Sequence, residues 1–458
     1  MMTQSKSDRK ESSDVTEQAP RKRMGAPPLP HTDERLVIGL GSGSSLDGID
    51  AALVRIQGSC ETAKLELKHF ICVEFDDETR LSLLELFEYQ KSTIDKLCVM
   101  HAIMGELFAE AALLVAEQHG TPMSDVDCIG IWGQMMYHMP THNLPFEWRG
   151  KQLGSSMQIG DLNRVAVRTG VTTIGDGANA DISAGGNGAP TPPLVDYALY
   201  HDGQINRAVQ NIGGIGNFNF MPAEGGIESV VGMDTGPGVM VIDGLVRYYT
   251  DGAELFDRDG ERAARGTVSD ELLQELMKDE YIQMAPPKAA GREQYGTHFV
   301  RRVADLAEKA GMTPDDAVAT ATALTVESIA ISLERYAQPA ANGPTGTVDE
   351  IIVGGGGALN PALLKMLAER TGCPVTTHED YDNPSFAMEA MIQAATASET
   401  YIGHTDHNPS LSGSGKSTFA GLIAPGYYKL PPRLSGNGWR AADEDTQAQV
   451  RSEVGAGA

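Results

Sequence analysis

The stretch "LVIGLGSGSSLDGIDAALVRI", residues 36–56, decides the fold. It reads as two apolar runs around a turn rich in glycine and serine. "LELKHFICVEF", residues 65–75, supplies a third run. Short apolar runs split by turn residues predict a meander of three antiparallel strands. A helical pattern follows over 79–120, with apolar residues every three to four positions. Gly120 with Thr121 and Pro122 stops it. "VDCIGIWG" (126–133) and "VTTIGD" (171–176) read as buried strands that end in loops.

The same order then partly recurs. "RAVQNIGGIGNFNF" (207–220) and "IESVVGMDTGPG" (227–238) are strands with glycine turns, and helices follow. "DEIIVGGGGALNPALLKMLAERTG" (349–372) is strand, glycine turn and helix. "PSFAMEAMIQAATASETY" (384–401) is a last helix. The expectation is two α/β halves, each opening on a glycine-rich hairpin, with an irregular chain beyond about residue 405.

A chain of 458 residues buries a large core and suggests two or three domains. The net charge of −26 repels nucleic acid and anionic membrane surfaces, so neither is an expected partner. No run approaches the ~20 apolar residues of a membrane helix. Residues 1–34 lack an apolar core for a secretory signal, and their polar, Pro-rich make-up predicts a disordered tail. The five cysteines, Cys60, Cys72, Cys98, Cys128 and Cys373, are scattered without a C-x-x-C. That fits buried thiols in a reducing cytoplasm, not a disulfide frame or a zinc site. Pro140 separates His138 from His142, and His404 and His407 lie in a polar loop, so neither pair is expected to hold a metal.

Three glycine clusters end strands: residues 39–50, residues 211–220 with 234–238, and residues 353–361. Glycine lets backbone approach a phosphate, and consecutive N–H groups then form an anion nest. Ser42, Ser44 and Ser45 add possible donors, and Asn360-Pro361 opens a helix whose N-terminus favours anions. The clusters suggest two phosphate hairpins and one adenosine turn across a cleft between domains. The dinucleotide fingerprint fails, at Ser44 or Leu46. So does a P-loop at Gly415-Lys416-Ser417. Its first glycine would fall at Ser410, and neither a strand before it nor a helix after it is legible. Carboxylates recur at the turns, namely Asp47, Asp50, Asp176, Asp181 and Asp234, as phosphoryl transfer requires. "GDGANADISAGGNGAPTPPLVD" (175–196) has too many small residues to be core and reads as a ligand-approach loop around Asp181.

"GLGSGSSLDGIDAALV" resembles the opening motif of anhydro-N-acetylmuramic acid kinases. "GQMMYHMP" (133–140), "QIGDLNRVAVRTGV" (158–171), "DISAGGNGAPTPPLVD" (181–196), "NIGGIGNF", "DTGPG", "PPKAAGRE" (286–293), "VGGGGALNP" and "MEAM" (388–391) follow that family in order. "NPSLSGSGKSTFAGLIAPG" (408–426) is similar to its terminal motif, with Lys416 in a variable part. The resemblance implies two ribonuclease-H-like, actin-like ATPase domains around a cleft. Residues 35–205, joined by the helix near 385–405, would form the first domain and 206–384 the second, with an irregular segment at 406–458. It implies a cytoplasmic kinase that uses ATP, Mg²⁺ and water on 1,6-anhydro-N-acetylmuramic acid in cell-wall recycling. The sequence does not give the oligomeric state, for which a homodimer is the general default. Asp181 would be the general base. Gly43, Ser44, Ser45, Leu46, Asp47, Gly48, Ile49 and Asp50 would hold ATP, with Gly213, Gly214, Asp234, Gly236, Gly238, Gly355, Gly356 and Asn360. Gln134, His138 and Glu389 would face the sugar, and no protein side chain is assigned to a metal. Gly177, Ala178, Met135, Asn187 and Gly41 depart from the family pattern. The alternatives are therefore a kinase of another anhydro sugar, such as levoglucosan, and a non-catalytic sensor.

Overall fold

The opening hairpin belongs to a six-stranded sheet in a computed structural model that describes residues 34–43, 46–88, 90–142, 146–189, 193–405 and 409–431. The expected N-terminal tail lies outside these residues. The strands are β1 (Glu34–Gly41), β2 (Gly48–Gln57), β3 (Lys64–Glu74), β4 (Cys128–Trp132), β5 (Gln134–Met139), β6 (Phe146–Trp148), β7 (Lys151–Leu153), β8 (Ser155–Ile159), β9 (Thr173–Gly175), β10 (Arg207–Ile212), β11 (Ile215–Met221), β12 (Val231–Pro237), β13 (Glu350–Gly354), β14 (Val375–Thr377) and β15 (Leu422–Ala424).

Val37, Ile38 and Leu40 of β1 are all fully buried, so both faces of that strand are covered. A strand covered on both faces reads as a continuous apolar run rather than an alternation. β1 pairs antiparallel with β2, from Glu34↔Gln57 to Gly41↔Asp50, and parallel with β4. β10 repeats this arrangement, antiparallel to β11 and parallel to β13. The first sheet runs β15-β9-β4-β1-β2-β3 and the second β12-β11-β10-β13-β14. Without β15, each sheet has the order 3-2-1-4-5 with its second strand reversed. That is the ribonuclease-H-like arrangement, present twice.

The helices are α1 (Asp77–Leu86), α2 (Ile94–His119), α3 (Leu162–Thr169), α4 (Gly177–Ser183), α5 (Leu194–Tyr200), α6 (Met240–Tyr249), α7 (Glu261–Arg265), α8 (Asp270–Leu276), α9 (Glu280–Gln283), α10 (Arg292–Tyr295), α11 (Thr297–Lys309), α12 (Pro314–Ser332), α13 (Pro361–Thr371), α14 (Met388–Ile402) and α15 (Pro409–Ser412). The pattern read as one helix over 79–120 is two, because Thr93 starts α2 afresh after a break. Two helical runs, Ile94–His119 and Pro314–Ala340, are long and apolar enough to cross a membrane by length and composition, which corrects the reading from uninterrupted runs. Both serve the core here. In the second, 78% of the most apolar window is buried, and α2 lays Met104, Phe108, Ala112 and Val115 against the first sheet.

α14 returns from the far end of the chain to cross β1 and β4. A Cβ on Gly39 would overlap the Ala390 carbonyl oxygen, and one on Gly130 the Gln393 carbonyl oxygen. These two glycines let a helix lie directly on the strands. The layer they create is shared, since Val37 and Ala52 of the first sheet pack in one cluster with α14 and with Val209, Met221 and Ile352 of the second. The segment expected to be irregular beyond 405 carries α15 and β15, and β15 extends the first sheet antiparallel to β9.

Candidate active site

Ser42 enters the first glycine turn with its side chain buried. Its hydroxyl donates to Gln134 Oε1 at 2.8 Å, and its N–H donates to Trp132 O at 3.2 Å. Ser42 is therefore a brace for the turn rather than a donor to a ligand, which corrects the sequence expectation. Gln134, only 1% exposed, is the other half of that brace. Ser44 and Ser45 lie outside the described residues. Leu46 sits at φ +60° with its side chain in the core. The left-handed conformation costs about 1–2 kcal/mol. Burial of a leucine returns about 1.5–3 kcal/mol, so packing holds the turn in shape.

Beyond the turn, Asp47, Asp50 and Glu389 come together. Burial raises Asp50 to about 6, against a hydrogen bond from Cys72, and Asp47 pushes it the same way. Burial also pushes Glu389 upward, helped by Asp50 and Asp47. Glu389 is nonetheless exposed to solvent, so its upward shift stands as a direction. Expected on the sugar side, Glu389 stands with the hairpin carboxylates.

In the second half, Gly213 and Gly214 form the β10–β11 turn. Their carbonyls accept from Val239 N–H at 2.8 Å and Gly238 N–H at 2.9 Å, which ties the turn to the start of α6. Gly355 has φ +73° and packs against Asn211 and Ile212, next to Gly356. Asn360 is committed as the N-cap of α13, where its Oδ1 accepts from Leu363 N–H at 3.0 Å. Asp234 is 5% exposed, and burial raises it to about 7 against the Ala290 N–H at 3.0 Å and the nearby Lys288 ammonium. Lys288 is itself buried, donates to Tyr281 O at 3.0 Å, and is pulled down to about 8 by burial.

Asp181 is 4% exposed near the end of α4. Gly188 N–H donates to its Oδ2 at 2.6 Å, and the Ser412 hydroxyl donates to its Oδ1 at 2.7 Å. A Cβ on Gly186 would overlap this carboxylate, so glycine is required there. Around it, Asn187 Oδ1 accepts from His142 N–H at 2.9 Å, and Asn187 N–H donates to Ser412 O at 3.0 Å. His138 pairs through Nδ1 with the Ser156 hydroxyl, and its N–H donates to Glu293 Oε1 at 3.2 Å. Burial pushes the imidazole down to about 4, so it is neutral at pH 7. His138 Nε2, Asn187 Nδ2 and Thr141 Oγ1 are buried without a well-formed hydrogen bond. Buried polar atoms without partners are rare in native proteins and call for a water, an ion or a ligand.

The segment 286–293 links the halves at this point. Its Ala290 holds Asp234 of β12, and its Glu293 holds His138 of β5. The chain near 412–415 closes over the same place. Gly413 packs on His142 and Pro287, and Gly415 N–H donates to Ala184 O at 2.9 Å. The apparent P-loop is thus a strap. Helix α15 precedes it, β15 follows it, and Lys416 is exposed. Ser412 was not among the residues expected in the site, because nothing local in "NPSLSGSGKS" marks a serine that meets Asp181 from 231 residues away. A separate cavity of about 280 Å³ lies near the other end of α4, lined by His101, Gln158, Asp161, Asn163, Asp176 and β15.

Two ribonuclease-H-like halves with glycine hairpins define the actin-like ATPase and sugar-kinase class of fold. Within it, the chain belongs to the anhydro-N-acetylmuramic acid kinase family, whose sequence profile matches residues 35–426. The anhydro-N-acetylmuramic acid kinase of Caldanaerobacter subterraneus subsp. tengcongensis is 41% identical over 86% of this chain and 97% of its own. That of Bacillus thuringiensis subsp. konkukian is 35% identical over 84% and 98%. A solved structure, (R)-2-hydroxyglutaryl-CoA dehydratase component A of Acidaminococcus fermentans, aligns at a TM-score of 0.39 and 11% identity over 79% of this chain and 96% of its own, too loosely to bear on function. The resemblance read from the motifs is borne out at the level of family and fold.

Proposed function

We propose that the protein is an ATP-dependent kinase of 1,6-anhydro-N-acetylmuramic acid, acting in the cytoplasm in cell-wall recycling. The reading takes 35–205 and 206–384 as the two domains, with the helix near 385–405 joined to the first. It rests on one observation: a buried carboxylate, Asp181, oriented by Gly188 and Ser412 beside three buried polar atoms without a well-formed hydrogen bond. Gly188 and Ser412 fix the orientation of the Asp181 carboxylate, and an ionised carboxylate is an acceptor that can take a proton from water. Asp181 takes a proton from that water as its oxygen bonds to C1 of the sugar. The C1–O6 bond breaks, O6 takes the γ-phosphoryl group, and ADP leaves. Neutral His138 and Asn187 orient the sugar.

ATP lies along the glycine turns at 43–50, 213–214, 236–238 and 355–356, beside Asp234. Asp47, Asp50 and Glu389 fit Mg²⁺, because their mutual repulsion and hard oxygen donors both favour a divalent cation. Bound there, Mg²⁺ would neutralise phosphate charge.

The test is ADP release over a panel holding the anhydro-muramic sugar, levoglucosan, ordinary hexoses and no sugar. The anhydro-muramic sugar should dominate, and solvent ¹⁸O should enter the anomeric position, not phosphate. Asp181→Asn should lower kcat on the order of 10²–10⁴-fold while ATP affinity holds. A variant with near wild-type turnover would remove Asp181 from the role.

A further inference from the structure

Away from the candidate active site, three side chains of metal-binding chemistry converge. Cys60 stands in the β2–β3 turn, Glu399 in the last turn of α14, and His404 just beyond it. Cys60 Sγ lies 3.3 Å from Glu399 Oε2 and 3.9 Å from His404 Nδ1, and His404 Nδ1 lies 3.2 Å from Glu399 Oε2. A tetrahedral zinc ion has bonds of about 2.3 Å to sulfur and 2.0–2.1 Å to nitrogen and oxygen, so its ligand atoms stand about 3.3–3.6 Å apart. The three edges observed bracket those values.

The backbone builds this arrangement. Gly403 ends α14 in the left-handed conformation, and His404 N–H donates to Glu399 O at 2.8 Å. That closure is a Schellman motif, which turns the chain back and sets His404 beside Glu399. Across from them, Cys60 holds φ +48°, unusual for a residue with a side chain. Left-handed backbone at a non-glycine residue persists where its surroundings enforce it, often at a functional site. Glu399 is 1% exposed, and its Oε1 is buried with no hydrogen-bond partner. Hydrogen bonds from Cys60 and His404 use only Oε2 and leave that atom unsatisfied.

We propose that Cys60, Glu399 and His404 bind one zinc-class divalent cation through thiolate, carboxylate and Nδ1, with solvent as the remaining ligand. Binding releases the Cys60 thiol proton, and the two anionic ligands then balance the cation's charge. The ion clamps the C-terminal end of α14 to the β2–β3 turn. Glu389, at the other end of that helix, is ten residues away, about 15 Å. The site is therefore structural and separate from the phosphate hairpin.

Metal-stripped full-length protein titrated with Co²⁺, then Zn²⁺, tests this. One Co²⁺ should bind per chain with a thiolate-to-cobalt charge-transfer band, and Zn²⁺ should displace it and raise the Tm. Cys60→Ser and His404→Ala each change a residue that is not fully buried, so both should fold. Each should weaken Co²⁺ binding by about 100-fold or more, and Cys60→Ser should abolish the band. Cys98→Ser, at an exposed cysteine elsewhere, should change nothing. A band that survives Cys60→Ser, or Zn²⁺ that fails to raise the Tm of the wild-type protein, would overturn the proposal and leave a hydrogen-bonded triad.

Discussion

Ser412 reaches Asp181 from 231 residues away in sequence. Its hydroxyl fixes one carboxylate oxygen, so in the proposed mechanism it positions the base. Ser412→Ala should lower kcat by about 10-fold, near 1.4 kcal/mol, with ATP affinity unchanged. The acid limb of the kcat profile should also move to higher pH, because a carboxylate that loses a donor keeps its proton more readily. A purely structural role would leave that limb in place. Asp234 offers a second test. Burial raises it from 3.8 to about 7, so between those values the native state binds more protons than the unfolded chain. Stability then falls as pH rises through that window. Asp234→Asn removes this dependence. Relative to wild type, the variant should gain ~1–3 kcal/mol between pH 5 and pH 8 in thermal unfolding, less whatever Lys288 loses as its partner goes. Parallel stability curves for the two proteins would mean that Asp234 is already ionised at pH 5.

The strap is the element that most changes the sequence picture. Lys416→Ala should keep kcat within about twofold, under ~0.5 kcal/mol, because the side chain is exposed and no phosphate turn surrounds it. Ending the chain after Thr405 should abolish turnover and lower the Tm, since Ser412, the Gly415 bond to Ala184 and β15 all go with it. Turnover that survived this truncation would detach the strap from the site. The glycine hairpins were legible because local signals agree there: apolar runs of strand length on both sides of turn residues. β15 was not, because its three residues are a strand only through pairing with β9, and "GLIAP" carries no signal for a partner some 250 residues back. The break at Thr93 was hidden because apolar residues on both sides continue a helical period. The run of small residues singled out Asp181 as a candidate, but the structure puts it on α4 and not in a loop, whereas the groupings of Glu389 with Asp47 and of Cys60 with Glu399 exist only once α14 has returned to the first sheet.

At the scale of the whole molecule, that return decides what can fold alone. The first sheet has α1, α2 and α3 on one side, from the same stretch of chain. Its other side is covered by α5 and by α14, which comes from the far end of the sequence. Ala390, Met391, Ala394, Ala395 and Ala397 of α14 are at most 1% exposed, and α14 fills the space left by Gly39 and Gly130. A fragment ending near residue 205 would leave that face open. Exposed apolar surface forfeits about 25 cal/mol per Å², and a domain is stable by only about 5–15 kcal/mol in total, so a helix-sized uncovered patch removes most of the margin. Residues 34–205 alone should therefore show no cooperative thermal transition. The same fragment fused through a flexible linker to residues 385–431 should regain one, because α14, the strap and β15 then return together. Circular dichroism melts of both fragments read the result directly. A sharp transition in 34–205 alone would show that the first sheet closes without α14, and the helix would then be a late addition to a finished half.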